Sequence, residues 1–339
     1  MKTKRNFVGI DIAKKDFYAC FADQEKAIKF NNDNTGIHAF VRQLNKHGCN
    51  KNNTIIGLES TASYHFPLCF KCTALGFSVK VINPLSVKKQ NQTSLRRLKT
   101  DQKDASLIRY CVGQGMGYEF NETAKSLETK SLVRQRNSLA NWILKLNRQL
   151  DDMEYKQACL GENLPECYTE IKGYLERKSK ELEKSLQKQQ PKLQKLLRTI
   201  PGVGPLTAIA FISEVGDVKR FESAKQLCAY AGIDPRVHES GTSVRGKGYI
   251  SKRGSKILRT RLYNACSVAV LRPNMFQSFF QKKISEGKPY RVALVATMNK
   301  MTHVIYSVWR NNKPFVAVSY THLRAHETVL DLVCRLLLE

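Results

Sequence analysis

At 339 residues and 42% hydrophobic content, the chain can bury two or three cores, which excludes a disordered polyelectrolyte. Its 56 Lys and Arg stand against 29 Asp and Glu, and a formal net charge of +27 answers most naturally to a polyanionic partner. Nucleic acid leads an anionic membrane surface as that partner, and no apolar run approaches the length of a membrane span.

The N-terminus "MKTKRNFVGIDIA" enters an alternating strand directly, without the apolar core and cleavage site of a signal peptide. The ten cysteines therefore read as reduced thiols of a cytosolic chain. Strands are predicted at 6–12, 16–23, 26–31, 54–60 and 77–82, and helices at about 35–47, 64–75 and 101–113. Three early strands followed by alternating helix and strand is the order of an α/β, ribonuclease H-like fold. Cys69 and Cys72 have the C-x-x-C spacing of a zinc or redox site. No second pair follows at finger spacing, and a buried helix face accounts for them better.

Within this region four acids occupy improbable places. Asp11 is flanked by Val8, Ile10 and Ile12; Glu59 ends the apolar strand "TIIGLES"; Asp101 and Asp104 open a helix three residues apart, on one face. A carboxylate in an apolar strand is costly unless compensated. If the two strands are neighbours the four converge, and each uncompensated pair about 4 Å apart repels by about 4 kcal/mol at an effective dielectric of 20. A divalent cation removes that penalty, and hard oxygen ligands select Mg²⁺ or Mn²⁺ over zinc. Taken singly, Asp101 is also an acceptable N-cap and Glu59 a solvated strand end.

From about 124 to 200 Leu, Lys, Glu and Gln dominate on a heptad spacing. Leu132, Leu139, Leu146 and Met153, with Ile143 and Leu150, mark one long helix; Leu175, Leu182, Leu186, Leu193, Leu196 and Ile200 mark a second. Gly161 and Pro165 separate them, which predicts an antiparallel hairpin or a dimerising coiled coil, with a surface helix pair as the plainer alternative. Next, "IPGVGPLTA" sets Gly202 and Gly204 in a tight turn between helical patterns, similar to a helix-hairpin-helix whose backbone N–H groups meet a phosphate, or else a plain helix–helix turn. Between Gly241 and Arg261 lie seven Lys or Arg and no acid, interleaved with Gly and Ser. Arg245, Lys247, Lys252, Arg253 and Lys256 are the candidate phosphate contacts there. Ser240 stands immediately before this basic segment and is a candidate nucleophile at phosphorus. The helix over "PYRVALVATMNKMTHVIYSVWRNNKPF" closes the fold, with Val295, Met298, Met301 and Ile305 as core.

"GIDIAKKDF", "GLESTASYH", "LKTDQKDASLI", "IPGVGPLTA" and "HESGTSVRGKGYISKRG", in this order, resemble the "IS one-ten" family of bacterial insertion-sequence transposases, relatives of the Piv-type DNA invertases. The resemblance spans about residues 6–310. It implies a RuvC-like domain over 1–120, a coiled-coil dimerisation segment over 121–199 and a mainly α C-terminal transposase domain over 200–317. It assigns Asp11, Glu59, Asp101 and Asp104 to a metal-binding DEDD tetrad and Ser240 to a catalytic serine. Donor and target DNA, a bridge RNA pairing with both, a homo-oligomer (dimer or tetramer) and a cytoplasmic, nucleoid-associated setting are likewise implied by the resemblance alone. Residues 318–339 do not continue the family's pattern and read as a non-native tail with no function assigned. A RuvC-like hydrolytic nuclease on branched DNA, with Ser240 merely touching phosphate, and a non-catalytic nucleic-acid scaffold are the competing readings.

Overall fold

Alternation of apolar and polar residues, broken by Gly, Asn and Asp turns, gives the first 120 residues their strands. The computed structural model describes residues 5–24, 26–60, 63–92, 101–156, 164–236, 239–240, 244–245 and 249–316; within these spans the side chains of residues 91, 92, 101, 102, 154, 164, 165, 236, 239, 240, 244 and 245 lie outside the description. Lys247 and the segment 318–339 fall outside the described residues. The chain divides into two compact units, Met1–Asn121 and Glu122–Glu339.

The first unit runs β1 (Asn6–Ile12), β2 (Asp16–Cys20), β3 (Ile28–Asn31), α1 (Asn34–Lys46), β4 (Thr54–Glu59), α2 (Phe66–Ala74), β5 (Ser78–Ile82), α3 (Pro84–Gln92), α4 (Asp101–Gly113) and β6 (Tyr118–Glu119). Its six strands form one mixed sheet in the order β3-β2-β1-β4-β5-β6, compatible with a ribonuclease H-like fold. The β1–β4 and β4–β5 pairs are parallel and the others antiparallel. Side chains alternate across a strand, so the two faces bury different sets. Val8, Ile10, Ile12, Ile56 and Leu58 pack with Phe40 and Leu44 of α1 and Leu68, Cys69 and Cys72 of α2. Phe7 and Ile55 point the other way, against Ile108, Cys111 and Val112 of α4. Cys69 and Cys72 are fully buried, and burial pushes both thiols up, Cys72 to about 12, so they serve as inert core.

Two short elements are additions to the expected order. α3 carries "PLSVKKQNQ", which has no apolar stripe, and β6 is two residues long.

The second unit holds α5 (Ala124–Lys156), α6 (Leu164–Gln187), α7 (Pro191–Leu197), α8 (Pro205–Val215), a 3₁₀ turn at Val218–Arg220 and α9 (Ala224–Ala231). Four two-residue strands follow, β7 (Pro235–Arg236), β8 (Glu239–Ser240), β9 (Val244–Arg245) and β10 (Tyr249–Ile250), then α10 (Lys256–Ala269), α11 (Met275–Ser285) and α12 (Tyr290–Asn311). The second heptad helix is shorter than its leucines suggest. It stops at Gln187, Gln190 takes a left-handed φ of 43°, and Pro191 opens α7, whose missing N–H suits a helix start. Leu186, Leu197 and Ile200 then serve the unit's own core with Phe211, Leu258, Met298, Met301 and Ile305, and Val295 packs on it. α5 and α6 pack together, with Arg136 Nε donating to Glu183 Oε1 at 2.8 Å. No helix among the described residues is long and apolar enough to cross a membrane.

Candidate active site

The acids of the first unit are placed by two glycines. A Cβ on Gly9 would stand 2.2 Å from the Ala105 carbonyl oxygen and 2.2 Å from the Arg109 nitrogen; one on Gly57 would stand 1.9 Å from Val112 Cγ2. α4 therefore lies directly on the backbones of β1 and β4, as only glycine permits. Asp11 is two residues beyond Gly9 and Glu59 two beyond Gly57, so both carboxylates rise on this same face. The parallel register, Gly9 with Gly57 and Ile10 with Leu58, brings Asp11 and Glu59 to the same level one residue further on, about 4.8 Å apart between strands. From Ala105 at Gly9, α4 runs to Gly113 at Phe7, against the direction of β1. Its N-terminal turn, carrying Asp101 and Asp104, accordingly points toward the end of the sheet where Asp11 and Glu59 lie.

Asp11, Glu59 and Asp104 are each half-buried. No three His, Cys, Asp or Glu side chains among the described residues form a metal cage by themselves. The Asp101 carboxylate lies outside the description. The donor set is wholly carboxylate oxygen, which fits a hard divalent cation and not zinc.

In the second unit the described residues about the basic segment form two short antiparallel pairings, a ribbon. Pro235 and Arg236 pair antiparallel with Ile250 and Tyr249, and Glu239 and Ser240 pair with Arg245 and Val244. Ser240 thus ends the outgoing inner strand and Arg245 ends the returning one. At the ribbon's root the backbones press together. The Ser255 N–H donates to Tyr230 O at 2.8 Å, and a Cβ on Gly254 would stand 1.9 Å from that same oxygen. Lys252 N–H donates to Gly232 O at 3.1 Å, and Lys252 itself takes a φ of 53°. The side chains of Lys252, Arg253 and Lys256 are exposed.

Glu214, 3% exposed on α8, fastens this root. Its carboxylate accepts from Arg134 Nε of α5 at 3.0 Å and from Ser255 Oγ at 3.3 Å, and its backbone carbonyl accepts from Tyr230 OH at 2.9 Å. The carboxylate holds the Arg134 guanidinium above its ordinary value. Nothing in the local sequence "FISEVGD" marks this acid as a tie between three elements. A Glu214→Ala chain is expected to lose about 2–4 kcal/mol, because a buried acceptor network loses its centre while half-exposed Arg134 can still turn to water. Urea denaturation checks this, with Glu214→Gln expected to retain most of the stability.

Gly202 and Gly204 separate in role. Gly202 has φ +84°, and a Cβ there would meet Ala265 O at 2.3 Å, so packing of the turn onto α10 requires it. Gly204 caps α8, with nothing within 4 Å of its absent Cβ.

A family model described as "Transposase", the DEDD transposase of IS110 elements, matches residues 8–153, and one described as "Transposase IS116/IS110/IS902 family" matches 194–281. The pilin gene-inverting protein of Moraxella bovis is 28% identical over 92% of this chain and 98% of its own length. A probable family 20 transposase of Pseudomonas aeruginosa is 25% identical over 89% of this chain and 96% of its own. The transposase for insertion sequence element IS1111A of Coxiella burnetii is 37% identical over 33% of this chain and 31% of its own. With both units matched, the chain belongs to the IS110 family of insertion-sequence transposases and is a DNA transposase.

Proposed function

We propose that the chain cuts and rejoins DNA through a divalent-metal DEDD site formed by Asp11, Glu59, Asp101 and Asp104 and a covalent phosphoserine at Ser240. The observation that carries this reading is the glycine-seated helix α4, whose N-terminal turn runs toward the level of Asp11 and Glu59 on adjacent parallel strands. Asp11, Glu59, Asp101 and Asp104 would hold the cation, which when bound neutralises charge on phosphate oxygens. The Ser240 hydroxyl oxygen bonds to phosphorus as a strand oxygen leaves. The proton that the serine gives up is balanced by the one the departing strand oxygen takes, and a second strand hydroxyl reverses the exchange. Arg245, Lys247, Lys252, Arg253 and Lys256 offset charge on the bound backbone, and the N-terminus of α8 at Gly204 offers a further phosphate contact. The guide is a structured bridge RNA and the working form an oligomer. The former rests on family resemblance, the latter on Trp142, Tyr155 and Tyr174, left exposed along α5 and α6.

The test is a Ser240→Ala chain incubated with DNA carrying the element's ends and the candidate RNA from its flank. Wild-type protein is expected to give a protein–DNA adduct that survives denaturing electrophoresis, absent from the variant. Cleavage by wild type with no adduct would assign the chemistry to water and the chain to the hydrolytic nucleases.

A further inference from the structure

Lys300 of α12 is 6% exposed, and among the described residues no carboxylate pairs with it. Its ammonium lies 4.5 Å from the centroid of the Phe279 ring on α11. Lys283 approaches the same ring at 5.5 Å. Burial and the neighbouring Lys282 push Lys300 down to about 8. Glu286, at the end of α11, bonds Lys283 at 2.7 Å and also feels Lys282 and Lys288. That acid is thus set among three other lysines, Lys282, Lys283 and Lys288.

A helix C-terminus attracts cations, which explains Lys282 and Lys283 in the last turn of α11. It does not explain Lys300, which arrives from another helix. Burying an ammonium without a carboxylate is expensive, and a cation–π contact returns only part of that cost. A methionine would fill the same space without the cost. A desolvated cation with further lysines beside it concentrates positive potential, to which a small, multiply accepting anion responds most.

We propose that the face where mid-α12 crosses α11 at Phe279 is a phosphate seat, in which Lys300, backed by Phe279 and flanked by Lys282 and Lys283, holds one backbone phosphate of the DNA substrate. The proposal rests on the chain's being a DNA transposase but not on the serine mechanism.

The experiment measures binding of the full chain to a short fluorescent DNA duplex by anisotropy across a salt series in EDTA, where no cleavage occurs. Lys300→Met is expected to fold as well as wild type, to bind about tenfold more weakly at low salt, and to lower the slope of log affinity against log salt by about 0.9, the share of a single phosphate. Lys282→Gln with Lys283→Gln, both nearer the surface, gives a second measurement, with a slope also expected to fall. Unchanged slopes in folded variants overturn the seat. So does a loss confined to an RNA hairpin, which would give the seat to RNA. Wild-type protein that bound no DNA would overturn the DNA reading as well, whereas intact wild-type binding with unaltered variants overturns the seat alone.

Discussion

An Asp11→Asn chain is expected to lose strand cleavage by about 10³-fold or more while binding DNA as tightly as wild type. Asparagine has nearly the same size and still presents an oxygen, so the β1–β4 pairing and the α4 contact at Gly9 are preserved. What it removes is one negative charge from a set of hard oxygen donors. Metal assistance to phosphoryl chemistry is worth several kcal/mol, and about 4 kcal/mol is a factor of about 10³ in rate. Binding rests instead on the surplus of 56 basic over 29 acidic residues, which the change raises by one. Cleavage of end-labelled DNA in Mg²⁺, alongside a gel-shift titration, separates the two. A variant that cuts at the wild-type rate removes Asp11 from the tetrad.

Gly9→Ala is expected to destabilise the first unit strongly. The new methyl would meet backbone atoms of α4 at 2.2 Å, and neither the Ala105 carbonyl nor the Arg109 nitrogen can swing aside as a side chain would. Relief requires the helix to lift from the sheet, loosening Ile108 and Val112 from their places and the Arg109 Nη1 bonds to the Phe21 and Gln24 carbonyls. Overpacking costs of about 1–3 kcal/mol are usual, and a clash of backbone on backbone stands at or above the top of that range. For a unit of this size that is a drop in melting temperature of about 10 °C. Differential scanning calorimetry of the variant decides it. A melt within a degree or two of wild type would mean that α4 does not sit where Gly9 places it.

Much of the first unit is legible in sequence because strands buried on both faces write themselves as Val, Ile and Leu runs, and β1, β4, β5 and α4 fall at or within a residue of their predicted bounds. α3 is invisible in sequence because its side chains show no period. The second long helix reads too long since leucines every seventh residue continue past its end. Pro191 carries the contrary signal, and the leucines beyond it face the unit's own core. The acids stand out as charges in apolar context, but their common face does not. That follows from Gly9 and Gly57, each two residues before its acid, a pairing whose meaning appears only when a helix is laid across both. The fastening of the ribbon by Glu214 is illegible for a similar reason, since its partners Arg134, Tyr230 and Ser255 are scattered over 122 positions of the sequence, 134 to 255.

The three contact points of α4, Ala105 and Arg109 over Gly9 and Val112 over Gly57, are spaced four and three residues apart and lock the helix's rotational phase against the sheet. An α-helix turns by about 100° per residue, so one residue inserted between Asp104 and Ala105 swings the Asp104 azimuth through about a quarter of a circle while the locked stripe stays put. Length variation among related transposases should therefore be absent from positions 104–112 and tolerated in the stretch leading into the helix.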